Sequence, residues 1–355
     1  MNKITINGRE ISKNKKPYII AELSGNHNGD INRALLLIRK AYESGADAVK
    51  LQTYTAETIT INHQGADFKI NHGLWEGKYL YDLYENAHTP WEWHKKLFEE
   101  ANNLGLDIFS SPFDNSAVDF LENLSVPAYK IASFELLDLP LVSYIASKKK
   151  PIILSTGMAS ELEIKEAIQT AEKSGASEIA LLHCISGYPT PIEEINLKMI
   201  EKLYEKFKYP IGLSDHTMGT LVPTASIAMG TCIIEKHFTL SRKDGGPDSQ
   251  FSLEPNELKE LVENCKNAWK ALGKAEFKIT NSEKENLKFR RSLYVVKDIN
   301  KGELFTENNL RSIRPGYGLH PKLIQKIIGK KSSQFIKRGT ALTKDLIKNF
   351  NDIRD

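Results

Sequence analysis

Two histidines, His216 and His237, each stand at the end of a short apolar run that is typical of a β-strand. Imidazole is the commonest metal ligand among side chains. If the two runs are neighbouring strands of one closed sheet, both rings could reach a single divalent ion, with Glu22 next around the ring. Two protein ligands would leave positions open for other groups. The pair therefore predicts a two-histidine metal site.

Two lysines, Lys50 and Lys130, also end apolar runs. Burial of an unpaired ammonium group is costly, so each needs a carboxylate partner or a bound anion. Salt bridges to Glu22 or Glu135 are one explanation. Hydroxyl groups that suit a phosphate follow other runs: Ser133, Ser155 and Ser214. Together these donors favour a phosphorylated or carboxylated small molecule as the substrate.

The apolar runs alternate with longer segments of helical periodicity, as repeated βα units do. The predicted strands are residues 18–23, 48–52, 107–110, 128–132, 151–155, 179–183, 211–214 and 232–238. The predicted helices are residues 31–44, 90–104, 116–124, 139–147, 161–174, 197–207, 221–229 and 255–272. This count predicts an α/β fold, a (β/α)8 TIM barrel, whose active site lies at the carboxyl ends of the strands. A doubly wound sheet is the alternative, but no GxGxxG or GxxxxGK[ST] motif follows a strand.

Two segments fall outside this count. Residues 2–16 predict a hairpin that turns at Asn7-Gly8 and could plug the bottom of the barrel. After the barrel, a charged stretch gives way to short β-rich pieces. We therefore expect a catalytic domain over residues 1–275, a linker over 276–289 and a small β-rich domain over 290–355.

Composition excludes several classes of protein. No run approaches the ~20 apolar residues of a membrane span, and the N-terminal segment lacks the apolar stretch of a secretory signal, so we expect a cytoplasmic protein. The formal charge of +3 gives no support for nucleic-acid binding. The cysteines Cys184, Cys232 and Cys265 are too widely spaced for a zinc or redox pair and indicate reduced thiols.

Ordered motifs along the chain resemble the family of sialic acid synthases, which condense phosphoenolpyruvate with an amino sugar. The matching stretches are AELSGNHNG (21–29), VKLQT (49–53), FSSPFD (109–114), AYKIASFE (128–135), ILSTGM (153–158), LLHC (181–184), YPTP (188–191), GLSDHT (212–217), EKHF (235–238) and RPG (314–316). The resemblance covers nearly the whole chain, because the C-terminal segment is similar to the family's antifreeze-like (SAF) domain.

The resemblance implies a role for each matching residue. His216 and His237 would bind a catalytic divalent cation, Mn²⁺ or Mg²⁺, with Glu22 beside it. Phosphoenolpyruvate would contact Lys50, Gln52, Lys130, Ser133, Ser155 and Ser214. The sugar would contact Glu135, Tyr188 and Asp248. Arg314 would come from the partner subunit of a domain-swapped homodimer.

Within the family, residues 74–94 and 244–255 most resemble pseudaminic acid synthases, which implies 2,4-diacetamido-2,4,6-trideoxy-L-altrose as the sugar. Ser186 stands where the sialic acid branch commonly has Asn. Synthesis of N-acetylneuraminate or legionaminate is the nearest alternative. A lysine Schiff-base aldolase that uses Lys130 or Lys236 is a second alternative. A carbohydrate-binding protein without catalysis is a third.

Overall fold

The computed structural model describes residues 3–176 and 178–350. The chain divides into two compact units, Met1–Gly273 and Lys274–Asp355. Residues 1, 2 and 351–355 of the predicted domains lie outside the described residues. In the described parts of the chain, none of the helices has the length and apolar character that a bilayer crossing requires.

The first unit is built around a closed barrel of parallel strands in the order β10-β3-β4-β5-β6-β7-β8-β9. These strands are β3 (Tyr18–Glu22), β4 (Ala48–Thr53), β5 (Asp107–Pro112), β6 (Tyr129–Ile131), β7 (Ile152–Ser155), β8 (Ile179–Cys184), β9 (Ile211–Asp215) and β10 (Ile233–His237). Almost every strand residue is buried, as near-continuous apolar runs require when helices cover a parallel sheet. The predicted TIM barrel is confirmed.

Helices cover the outside of the barrel. The main ones are α1 (Ile31–Glu43), α4 (Trp91–Leu104), α5 (Asn115–Asn123), α6 (Leu139–Ser147), α7 (Glu161–Lys173), α8 (Lys198–Phe207), α9 (Leu221–Ser226) and α10 (Pro255–Leu272), and a 3₁₀ turn, Ile227–Met229, continues α9. Their apolar faces and the outer faces of the strands form one core. The side chains of Asp30 and Ser160 cap the N-termini of α1 and α7, as their positions predict.

A hairpin closes the bottom of the barrel. Its strands are β1 (Ile4–Ile6) and β2 (Arg9–Ile11), joined through Asn7 and Gly8, which both have positive φ angles, as a two-residue hairpin turn requires. Its buried side chains pack against the first residues of the barrel strands, among them Tyr18 and Phe109. The predicted plug is therefore confirmed for the described residues of the hairpin.

A long insertion separates β4 from α4. It contains α2 (Ala56–Ile59), a 3₁₀ turn (Ala66–Phe68) and α3 (Leu80–Ala87). Its aromatic residues contact the barrel loops, since the indole of Trp75 donates a hydrogen bond of 2.8 Å to the carbonyl of Pro247.

The second unit has its own small core, which is built on an antiparallel pair, β11 (Ser292–Val295) and β12 (Leu310–Ile313). The stretch predicted to be a linker holds two short helical turns, α11 (Asn281–Lys284) and a 3₁₀ helix (Glu285–Phe289). Among the described residues, β12 is followed by a 3₁₀ turn (Pro321–Leu323), by α12 (Ile324–Ile327) and by a second 3₁₀ turn (Lys344–Leu346).

Candidate active site

A buried cluster of charges occupies the carboxyl ends of β3, β4 and β10. The ammonium nitrogen of Lys50 lies 3.0 Å from Glu22 Oε2 and 3.3 Å from Glu235 Oε1. The Lys50, Glu22 and Glu235 side chains are at most 5% exposed. Strand register creates the cluster, because Glu22 is paired with Lys50 on one side and with His237 on the other. Gln52 donates from Nε2 to Glu22 Oε1 over 3.0 Å.

A second ammonium group extends this cluster across the barrel. Lys130 Nζ donates to Ser155 Oγ over 2.7 Å and lies 4.0 Å from Glu235 Oε1. The Ser214 hydroxyl donates to the same Glu235 oxygen over 3.2 Å. Glu235 therefore connects both lysines, and two ammonium groups face two carboxylates.

The pKa values of these groups follow from burial and mutual attraction. Burial of Glu235 opposes its ionisation, but Lys130 and Lys50 outweigh that effect and lower its pKa to about 2. Burial lowers the pKa of Lys130 to about 8. Burial also opposes the charge of Lys50, but Glu22 and Glu235 raise the pKa of Lys50 above its usual value. Both ammonium groups therefore stay charged at neutral pH and can donate hydrogen bonds to an incoming anion.

The two predicted metal ligands lie beside this cluster with ring centroids 5.3 Å apart. His216 Nδ1 lies 3.0 Å from the carbonyl oxygen of Ile185. A carbonyl only accepts, so Nδ1 carries the hydrogen and Nε2 of the neutral ring keeps its lone pair. His237 Nδ1 lies 3.5 Å from Asp248 Oδ2, and the Ser24 hydroxyl also donates to Asp248. Carbonyl and carboxylate partners of this kind orient metal-binding histidines.

The donor set suits a metal that keeps positions open. Across the described residues, no three His, Cys, Asp or Glu side chains are grouped closely enough to hold an ion by themselves. Glu22, expected beside the metal, instead contacts Lys50 and Gln52. A divalent ion at His216 and His237 would therefore take its remaining ligands from substrate or water.

Aromatic rings surround the two imidazoles. The Tyr188 ring lies 4.5 Å from His216, and the buried Phe251 ring lies 4.9 Å from His237, between centroids. Trp75, from the insertion between β4 and α4, packs 5.5 Å from Tyr188. These rings restrict how the imidazoles can turn and limit the access of water.

A further acidic group follows β6. Burial raises the pKa of Glu135 to about 7, and its Oε2 has no hydrogen-bond partner among the described residues. Nearby, the Ser133 hydroxyl accepts from the amide of Gly157 over 3.1 Å. A side chain at Gly157 would place its Cβ 2.7 Å from that hydroxyl and 2.6 Å from the Ser186 hydroxyl, so only glycine fits between them without a shift.

The structure brings most of the predicted residues together. One hydrogen-bonded group contains Glu22, Lys50, Gln52, Lys130, Ser155 and Ser214, and the group beside it contains Tyr188, His216, His237 and Asp248. Arg314 is exposed and follows β12 in the second unit, and its role stays a prediction.

Several residues that contact the site were not among the predicted site residues. Glu235 is central to the charge cluster, and its position two residues before His237 was the signal that could have assigned it. Cys184, at the end of β8, lies against His216, which lowers the pKa of the thiol although burial opposes this. Phe251 comes from a loop, where no periodicity identifies it.

The chain is similar to known proteins over most of its length. The model of the NeuB family matches residues 37–277, and the SAF domain model matches residues 290–348. The chain belongs to the NeuB family. It is 48% identical to the pseudaminic acid synthase of Helicobacter pylori over 93% of this chain and 97% of that protein.

Two further relatives extend the comparison. The N,N'-diacetyllegionaminic acid synthase of Legionella pneumophila is 39% identical over 92% of this chain and 93% of its own length. The crystal structure of the N-acetylneuraminic acid (sialic acid) synthetase of Leptospira borgpetersenii superimposes with a TM-score of 0.73 at 32% identity, covering 81% of this chain and 96% of that one.

Proposed function

We propose that this chain condenses phosphoenolpyruvate with 2,4-diacetamido-2,4,6-trideoxy-L-altrose to give pseudaminic acid and phosphate. The choice of sugar rests on the higher identity to the Helicobacter pylori pseudaminic acid synthase than to the Legionella pneumophila legionaminic acid synthase. The choice of reaction is supported by the buried lysines beside two oriented histidines. A cytoplasmic location belongs to the same proposal, because phosphoenolpyruvate is an intracellular metabolite.

Phosphoenolpyruvate would bind at the charge cluster. Its carboxylate and phosphate carry negative charge that matches Lys50 and Lys130, whose ammonium groups lie close to Glu22 and Glu235. The serine hydroxyls around the cluster can turn to donate to the phosphate: Ser133, Ser155 and Ser214. Because these groups are buried, their interaction with the anion is stronger than it would be in water.

A divalent cation, Mn²⁺ or Mg²⁺, is part of the proposal. His216 and His237 would hold it, and the ion would act as a Lewis acid on the aldehyde oxygen of the open-chain sugar. The Nδ1 atom of His216 donates to the carbonyl oxygen of Ile185, and Asp248 faces Nδ1 of His237 at 3.5 Å. Tyr188 and Phe251 shield the same rings from water.

The protein's own groups then account for the remaining steps. The methylene carbon of phosphoenolpyruvate forms a bond to the aldehyde carbon, whose oxygen takes up a proton and becomes a hydroxyl. Loss of the double bond leaves the neighbouring carbon electron-poor, and water adds to it. One proton of the water balances the proton taken up by the new hydroxyl and the other leaves with phosphate, as the bond from that carbon to the phosphate oxygen breaks and the carbon becomes a ketone carbonyl. We assign Glu22 to the water. We assign Glu135 to the sugar, because its carboxyl, with a pKa near 7, can donate a hydrogen bond at neutral pH.

A homodimer with exchanged C-terminal domains completes the proposal, with Arg314 of one subunit contacting the sugar bound to the other. Large apolar side chains are exposed on the loops at the mouth of the barrel, among them Phe134, Met158 and Leu221 at 63%, 64% and 70%. Exposed apolar groups on neighbouring loops are typical of protein interfaces. The molar mass in solution, from light scattering, tests the dimer.

The test of the reaction is an assay of purified protein with phosphoenolpyruvate, Mn²⁺ and a panel of sugars. We expect phosphate release and a product of the mass of pseudaminic acid with the altrose-configured sugar. Preference for the sugar precursor of legionaminate or N-acetylneuraminate would overturn the choice of sugar. A carbohydrate-binding protein without catalysis would release no phosphate with any sugar.

The Schiff-base alternative has less support. Lys236 lies 2.6 Å from Asp215, and both side chains are completely buried, so Lys236 is unavailable to a substrate. Lys130 does lie in the charge cluster. Borohydride added during turnover should trap no covalent adduct, and EDTA should stop phosphate release. A trapped adduct at Lys130 with full activity in EDTA would replace the metal-dependent mechanism.

A further inference from the structure

The buried Asp215–Lys236 ion pair lies directly beside both metal-binding histidines in sequence. Asp215 and Lys236 are partners in the register of β9 and β10, and their charged atoms are 2.6 Å apart. Successive strand residues point to opposite faces. Glu235 faces the charge cluster inside the barrel, so the ion pair lies on the other face of the sheet, among the helices.

The ion pair also binds the backbone of Thr217, the residue that follows His216. Lys236 Nζ donates to the carbonyl oxygen of Thr217. Asp215 accepts from the amide and from the hydroxyl of Thr217, each over 3.0 Å. The residues immediately before and after His216 are therefore tied to one ammonium group, and that ammonium belongs to the residue before His237.

Stability alone gives a weak reason for this arrangement. Two charges lose their hydration when they are buried, and well-packed apolar residues of similar size often serve stability as well or better. An ion pair with fixed hydrogen bonds holds the backbone segments that it joins in a defined position. Here the position it defines is that of the two strand ends that carry His216 and His237.

We propose that Asp215 and Lys236 are positioning residues that hold the ends of β9 and β10 so that His216 and His237 can share one divalent ion. The inference rests on the proposed metal site. It concerns residues that touch neither the substrate nor the ion, and it makes the outer face of the barrel part of the metal-binding apparatus.

The test compares Mn²⁺ binding by wild type and by the double variant Asp215→Leu/Lys236→Met, using the electron paramagnetic resonance signal of free Mn²⁺. We expect the double variant to fold and its dissociation constant for Mn²⁺ to rise about 10-fold to 100-fold, as when outer partners of metal ligands are lost. The matched control is Arg9→Met/Asp47→Asn, which removes an ion pair at the opposite end of the barrel and should leave Mn²⁺ affinity unchanged.

A single variant covers the case in which the double variant does not fold. Asp215→Asn is nearly isosteric and keeps an acceptor for the Thr217 amide, but it loses the charge opposite Lys236. Weaker Mn²⁺ binding by folded Asp215→Asn supports the inference. If either folded variant binds Mn²⁺ with wild-type affinity, the positioning role is wrong and the metal site stands. If the wild-type protein does not bind Mn²⁺, both the metal site and the positioning role are wrong.

Discussion

The two ends of the barrel have opposite chemistry. At the bottom, the hairpin side chains Ile4, Ile6 and Ile11 fill the interior and are at most 1% exposed. At the mouth, the interior holds Lys50 and Glu235, which are buried almost as completely. The barrel strands alternate in the same way at both ends, but a hairpin fills the bottom with apolar side chains, whereas the strands themselves supply the charged side chains at the mouth.

Because of this difference, we expect the bottom of the barrel to contribute mainly to stability and the mouth mainly to function. Apolar burial at the bottom contributes roughly 25 cal/mol for each Å² removed from water. At the mouth, each buried charge loses hydration, and the attraction between the charges offsets that loss. We therefore expect changes at the bottom to alter the free energy of unfolding and changes at the mouth to alter turnover.

The largest expected effect is at the mouth. His237→Ala removes one of two proposed protein ligands of the metal, and we expect kcat/KM to fall on the order of 10³-fold, because metal activation contributes several kcal/mol. The unfolding temperature should change little. Phosphate release and thermal unfolding measured on the same preparation test this expectation, and full activity of metal-free His237→Ala would contradict the metal-dependent mechanism.

His183→Gln is the matched control. His183 is also a buried histidine near a strand end, but its Nε2 lies 2.6 Å from the carbonyl oxygen of Ile195. Its neighbour Cys184 is the residue of β8 that contacts His216. His183→Gln should lower the unfolding temperature, because it changes a buried, hydrogen-bonded side chain. It should leave kcat/KM within about 2-fold of wild type, because Cys184, and not His183, contacts His216.

The sequence allowed the barrel to be predicted because each strand is a short apolar run and each helix has a periodic apolar face. The same pattern placed Lys50 and His237 correctly, since residues at strand ends converge in a closed barrel. It could not assign Phe251 or Trp75, whose positions depend on loops that fold against distant parts of the chain. Loop contacts of this kind have no period that a sequence reveals.

The second largest effect is expected at the bottom. Ile6→Ala leaves a cavity in the cluster that closes the barrel, and it should lower the free energy of unfolding by about 2–5 kcal/mol. Urea unfolding measures this loss. The control Leu272→Ala removes a side chain that is 48% exposed, at the end of α10, and should change stability little. Loss of turnover by folded Ile6→Ala at 25 °C would show that the two ends are not separable.

A smaller effect concerns the charge of Lys130. Its pKa of about 8 means that the free enzyme loses one positive charge as the pH rises through that value. The kcat/KM for phosphoenolpyruvate should then fall about tenfold for each pH unit above 8, since this ratio reports groups of the free enzyme. Lys50 keeps its proton there, because Glu22 and Glu235, acting against burial, raise its pKa. Folded Lys130→Arg should remove the decline, and a flat wild-type profile up to pH 9.5 would contradict this assignment.

The smallest effect is expected at the hairpin turn. Gly8 has φ of 76° and open space around it, so Gly8→Ala meets no atoms and only strains the backbone. The cost should be about 1 kcal/mol of unfolding free energy. Lys3→Ala, which removes a largely exposed ion pair from the same hairpin, is the control and should cost less. Neither variant should alter kcat/KM, because the turn lies at the end of the barrel opposite the mouth. A change in turnover with Gly8→Ala would mean that the plug also sets the geometry of the charge cluster through the strands that it closes.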